Sequence, residues 1–239
     1  MTGNFIGQPL PRVDGRAKVT GAARYAADFN QDSQLHAVIV SATVGLGRVT
    51  AIDSARVEGM PGVVAVITHR NAPRLAYGAH KTYIDPAVGE RLHVLQDDKV
   101  RFYGQPVAIV VAETLDQAER AAAALQVSYE KEQPTVDPTD PRAEAIIPEA
   151  AAQPDARIPA DTSRGEADNA LANAEVKVDE TYDIARENHN PMEPHATVAA
   201  WRDDRLTLWS KSQFVVNEQA EIAAIFGIPV EHVQVNCPF

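Results

Sequence analysis

Residues 101–130 read RFYGQPVAIVVAETLDQAERAAAALQVSYE, and the fold class turns on how this stretch is divided. PVAIVVA is a continuous apolar run rich in β-branched residues, of strand length and far too short to span a bilayer. Thr114 follows it, and Gln117 stands three residues later, ahead of an alanine-rich segment. That is a capping-box pattern opening a helix. LQVSYE (125–130) then reads as another strand. Strand, helix, strand with apolar runs between turn signals argues for an α/β layer over a sandwich.

Working outward, LHAVIVSA (35–42) and MPGVVAVIT (60–68) read as two further buried strands, the second entered through a Pro-Gly turn. Between them Asp53 is placed to cap a short helix, SARVE, that Gly59 stops. GLG at 45–47 reads as a turn, and 69–98 as a long irregular region. The first residues, rich in Gly and Pro, read as an extended arm over 1–17. Residues 18–132 then form one domain. Residues 133–165 contain a run with six prolines, QPTVDPTDPRAEAIIPEAAAQPDARIPADTS (133–163), and read as a linker.

A second unit occupies 166–239. GEADNALANA (165–174) reads as a short helix and EVKVDETYDIA (175–185) as a long exposed strand. HATVAAW (195–201) and RLTLWS (205–210) form a hairpin through RDDR. SQFVVNEQAEIAAIFGIP (212–229) is a helix with Ser212 at its start and Val215, Ile222 and Phe226 on one face. Gly227 and Pro229 end it. HVQVNCPF (232–239) is a last strand, after which the chain stops, so the second domain reads as unfinished.

The 239 residues carry a formal net charge of -11 and are 45% hydrophobic. Such a surface repels phosphate backbones, which argues against nucleic acid as a partner. No apolar run resembles a signal peptide or a membrane span. The single cysteine, Cys237, permits no internal disulfide and no cysteine-ligated zinc or iron–sulfur site within the chain. It reads as a packed residue of an apolar strand. Phosphate-cradling glycine motifs and a nucleophile elbow are both missing.

The densest chemistry is ENHNPMEPHATVAAW (187–201), with Glu187, His189, Glu193 and His195. The histidines stand six apart and Pro191 and Pro194 break any helix, so the zinc-helix spacing is not met. On a strand, His189, Glu193 and His195 would share a face. A small metal-dependent hydrolase using His189 and His195 is therefore one open reading. A strand entry with hydrogen-bonded His and Glu is the plainer one.

Several stretches in order carry a resemblance: RVDGRAKVTGAARYAADF (12–29), PGVVAVIT (61–68), YGQPVAIVVAETLDQAERAA (103–122), MEPHATVAAW (192–201) and LTLWSKSQ (206–213). Together they resemble the molybdenum-binding large subunit of the xanthine dehydrogenase and aldehyde oxidase family, in particular of bacterial three-subunit aldehyde oxidoreductases. The resemblance implies an α/β hammerhead domain over 18–132. It also implies the start of the first molybdopterin-binding α+β domain from about 166, the chain being an N-terminal portion that is inactive alone. It implies oxidation of aldehydes or N-heterocycles with water as oxygen source, a molybdopterin cofactor in the cytosine dinucleotide form, and [2Fe–2S] clusters and FAD on partner subunits.

By the same resemblance Glu187 stands where the family commonly has a Gln near an oxygen ligand of molybdenum. Met192, Glu193 and His195 match an MEPH pattern that shapes the pocket, and the catalytic glutamate lies beyond residue 239. No metal ligand is expected in the chain itself. A non-catalytic scaffold for the iron–sulfur subunit is the competing reading. Location is cytoplasmic, or periplasmic if a partner carries the export signal.

Overall fold

A computed structural model describes residues 6–76, 92–144, 162–185, 187–188, 190–193 and 195–239. Three three-stranded sheets are built from nine strands: β1 (His36–Ser41), β2 (Gly47–Ile52), β3 (Val63–Thr68), β4 (Lys99–Val100), β5 (Pro106–Ala112), β6 (Val127–Lys131), β7 (Thr197–Arg202), β8 (Arg205–Ser210) and β9 (Val233–Asn236). The strand orders are β1-β5-β3, β4-β2-β6 and β7-β8-β9. All pairings are antiparallel except β8 with β9.

Residues 106–112 supply the centre of the first sheet. β5 is flanked by β1 and β3, so its two faces meet different neighbours. Ala108 and Val110 join Val57, Val66, Ala121 and Leu125 in one core, which α2 (Ser54–Glu58) and α3 (Leu115–Ala124) cover. Val107 faces the other way and packs with Ala42, Val44, Val49 and Val100. Each fully buried valine contributes roughly 1.5–3 kcal/mol relative to exposure. The capping box at α3 forms as read. Thr114 Oγ1 accepts from Gln117 N at 3.3 Å, and Gln117 Oε1 accepts from Thr114 N at 3.0 Å.

Several expectations give way. β1 and β3 are edge strands, so β1 alternates half-buried with exposed residues instead of being buried throughout. β5 and β6, on either side of α3, lie in different sheets, because β6 pairs with β2. β2 itself stands where only a turn was read. Its first residue, Gly47, has φ 139° and sits tight against Glu130, so the turn residue also begins a strand. Asp53 precedes α2 without making a side-chain cap. The arm is not wholly extended: α1 (Gly15–Val19) forms beside Asp14, whose carboxylate bonds Lys18 at 2.7 Å and Arg12 at 3.0 Å.

In the second unit, α4 (Ala167–Asn173) and the β7–β8 hairpin form as read, with Asp203 at φ 55° in the turn. Residues 175–185 form no strand; the chain bends at Glu175 and Val176, and the segment is exposed throughout and pairs with no sheet among the described residues. α5 (Val215–Phe226) starts three residues later than Ser212, whose Oγ accepts from Phe214 N at 3.2 Å. Its buried residue is Ala223, while Val215 and Phe226 remain exposed. The helix turns its small residue inward because β9 lies close beneath it. Gly227, at φ 66°, ends the helix in the left-handed conformation.

The N-terminal segment packs on the third sheet. Phe29 stacks on Trp209 with centroids 6.0 Å apart, and Tyr25 meets Phe239 at 5.7 Å. Trp201 meets Phe226 edge-on at 5.7 Å, so the two tryptophans pack against different partners and not against each other.

Candidate functional site

The segment containing Glu187, Met192, Glu193 and His195 is an irregular passage that feeds β7. Asn190 adopts φ 37°, a conformation Asn tolerates better than most residues, and the chain bends at Met192 and Glu193 between the two prolines of the sequence. β7 starts at Thr197, opposite Ser210. Glu187 and His195 are exposed, Met192 is fully exposed, and Glu193 is half-buried. None of the four side chains has a hydrogen-bond partner among the described residues. His189, on which a hydrolase reading depends, lies outside the described residues, as does Pro194. Among the described residues no three His, Cys, Asp or Glu side chains gather as a metal would require. The four predicted residues thus form a solvent-facing rim and are not gathered into a cavity.

The cavities lie elsewhere on the same sheet. One, ≈ 500 Å³, runs along the open edge of β7 and is lined on its other side by residues 31–35. A second, ≈ 310 Å³, lies between the start of α5 (Val215, Val216, Gln219) and β9. Gln219 Nε2 donates to the carbonyls of Val233 at 2.7 Å and Val230 at 3.3 Å, tying the helix to the turn that enters β9.

Sequence reading gave no signal for a buried carboxylate at the start of α5. Glu218 Oε1 accepts from Ser210 Oγ at 2.6 Å, while Glu218 Oε2 and the neighbouring Asn217 Oδ1 are buried with no hydrogen-bond partner among the described residues. In sequence, NEQ in a helix's first turn looks like ordinary surface filler. Cys237 lies just past the end of β9 and not inside it. Its Sγ accepts from Ser212 N at 3.3 Å, and its thiol reaches the carbonyls of Phe239 at 3.3 Å and Ser212 at 3.4 Å. It is a half-buried, hydrogen-bonded corner residue.

With this geometry in hand, comparison with known proteins assigns the family. The profile described as "Aldehyde oxidase and xanthine dehydrogenase, a/b hammerhead domain" matches residues 20–133, and "Molybdopterin cofactor-binding domain" matches 150–239. The chain belongs to the aldehyde oxidase and xanthine dehydrogenase family of molybdenum-dependent oxidoreductases.

Among its relatives, the aldehyde oxidoreductase molybdenum-binding subunit PaoC of Escherichia coli (strain K12) is 34% identical over 98% of this chain and 30% of its own length. The nicotine 6-hydroxylase large subunit of Paenarthrobacter nicotinovorans is 31% identical over 89% of the chain and 26% of its own length. The aldehyde oxidoreductase of Desulfovibrio gigas superposes with a TM-score of 0.70 at 27% identity, covering 94% of this chain and 26% of that one. A Cu,Mo-CO dehydrogenase superposes with a TM-score of 0.74 at 25% identity, over 97% and 31%. The chain therefore spans about a third or less of the length of these proteins. Among the described residues no helix is long and apolar enough to cross a membrane.

Proposed function

We propose that this chain is the amino-terminal part of the molybdenum-binding large subunit of a hydroxylase that oxidises aldehydes or N-heterocycles with oxygen drawn from water. Its domains would divide as an arm over 1–17, the hammerhead over 18–132, a linker over 133–165 and the opening of the molybdopterin-binding domain over 166–239. One observation carries the reading: matches to the hammerhead and the molybdopterin-binding domain occur in order, on a chain whose fold superposes on solved enzymes of that type over nearly its whole length.

Molybdopterin brings its own dithiolene ligands to the metal, so the chain need supply none. The donor set fits part of such a group. Glu187, Glu193 and His195 face solvent and can accept hydrogen bonds from the amino and ring N–H groups of a pterin. No Lys or Arg lies within 187–195 to meet a phosphate, so cations for the nucleotide end come from elsewhere. When bound, the group supplies a two-electron redox centre. By the family resemblance, Glu187 would accept a hydrogen bond beside it, without the amide donor that a Gln would offer. Met192, Glu193 and His195 shape the loop beneath. The base of the reaction lies outside this chain, which turns over no substrate alone.

The nucleotide form of the cofactor is the cytosine dinucleotide. Electrons leave through [2Fe–2S] clusters to FAD on partner subunits, in the cytoplasm, or in the periplasm if a partner is exported.

The test replaces the matching region of the E. coli relative with this chain and co-expresses the chimera with that enzyme's other subunits. Pterin content, read by fluorescence after oxidation, and dye-linked aldehyde oxidation should both be present, and 1–239 alone should show neither. A chimera that captures the other subunits yet never carries pterin points to the scaffold role instead.

A further inference from the structure

Residues 175–185, EVKVDETYDIA, carry a row with a period of two in which Val176, Val178, Tyr182 and Ile184 flank a central Glu180. Their exposures are 80%, 70%, 81% and 88%. The chain bends at Glu175 and Val176 and is irregular from there to Ala185, and among the described residues the segment pairs with no strand and makes no backbone hydrogen bond. The one polar tie is Lys177 Nζ, which donates to the carbonyl of Ala172 at 2.9 Å. Scattered exposed apolar residues are ordinary on a protein surface. Four large ones at alternating positions of an unpaired segment, two on each side of Glu180, are the pattern of a strand that lacks its sheet.

We propose that residues 176–184 form a β-strand by pairing with a strand of the large-subunit polypeptide that lies outside this chain, burying the Val176–Ile184 row. This rests on the large-subunit reading above. Two observations select the occupant. Relatives matched over 98% and 89% of this chain have only 30% and 26% of their own length covered, so each carries far more polypeptide in the same subunit. The segment's polar residues are also predominantly acidic: Glu175, Asp179, Glu180 and Asp183 against Lys177. A second copy in antiparallel register would bring these carboxylates toward one another, which disfavours self-pairing. The partner strand is therefore apolar on one face and neutral or basic at its polar positions.

Hydrogen–deuterium exchange distinguishes the cases. In 1–239 alone, the amides of 176–184 should exchange close to unstructured rates, and trypsin should cut after Lys177. In the chimera with the E. coli relative, a paired strand should slow the segment's exchange by about 100-fold or more and abolish the cut. The double variant Val178→Asp/Tyr182→Asp should leave the melting of 1–239 unchanged, because both side chains are exposed there, and should restore fast exchange in the chimera.

Fast exchange of 176–184 in a chimera that carries pterin overturns the proposal and leaves the large-subunit reading standing. A soluble chimera without pterin overturns both. Protection that appears in 1–239 alone and rises with its concentration assigns the strand to a second copy and overturns the proposal.

Discussion

Gly47→Ala tests the packing at the GLG turn most directly. Gly47 has φ 139°, a conformation that L-residues rarely adopt, and an added Cβ would overlap the carbonyl oxygen of Glu130. That oxygen belongs to the β6 backbone, directly beside the Gly47–Lys131 pair, so no side-chain rotation relieves the overlap. The unfavourable backbone costs about 1–3 kcal/mol. Relief of the overlap requires β2 to part from β6 at this end, which adds about 1 kcal/mol per ladder hydrogen bond lost. The total is about 3 kcal/mol. At about 2–4 °C per kcal/mol for a chain of this size, the melting temperature should fall by about 6–12 °C.

Gly45→Ala, two residues earlier in the same turn, is the control. Its added Cβ would lie 3.3 Å from Pro134 Cγ, and no positive φ is involved. It should shift melting by about 2 °C or less, in keeping with a substitution free of named strain. Both variants are followed by far-ultraviolet circular dichroism on heating. Equal shifts for the two, or a Gly47→Ala protein that melts with the wild type, would refute the close approach of β2 to β6.

Thr114→Ala should cost about 1 kcal/mol through loss of the α3 capping box, measured by urea denaturation, with Thr114→Ser largely retaining the wild-type midpoint. Ser210→Ala removes the donor to Glu218 Oε1 and leaves neither carboxylate oxygen with a partner among the described residues, for a loss of about 1–3 kcal/mol. The Asp14 carboxyl is held well below its usual range by hydrogen bonds from Lys18 and then Arg12. Stability that depends on it is present above the ordinary Asp pKa and lost as pH falls through the depressed value. A carboxyl NMR titration should therefore place Asp14 below the ordinary Asp range, and Lys18→Met should raise its midpoint. Glu187→Gln in the chimera should change pterin-linked activity while leaving thermal melting within about 1 °C, because Glu187 is exposed and has no hydrogen-bond partner among the described residues.

Local signals carried much of the fold. The capping box at Thr114, the turn at Asp203, the left-handed Gly227 and the apolar run of β5 all appear where the residues place them, because each depends on neighbours within a few positions. Strand pairing was not legible. That β5 sits between β1 and β3, while β6 crosses to β2, depends on contacts tens of residues apart. β2 escaped notice because a glycine at its first position looks like a turn and becomes a strand only against Glu130. The row at 176–184 shows the reverse: the alternation was plain, but a strand needs a partner, and this chain supplies none among its described residues.

The site divides along the same line. Sequence alone determined its chemistry: which carboxylates and imidazoles stand at 187–195, that prolines forbid a helical metal motif, and that no Lys or Arg lies among them. Tertiary structure decided their setting. It places Glu187, Met192 and His195 on an exposed rim beside β7, and it buries a carboxylate at Glu218 that no local pattern marked. Identity and spacing belong to the chain, whereas burial arises only when β8, β9 and α5 come together to exclude water from a side chain such as Glu218.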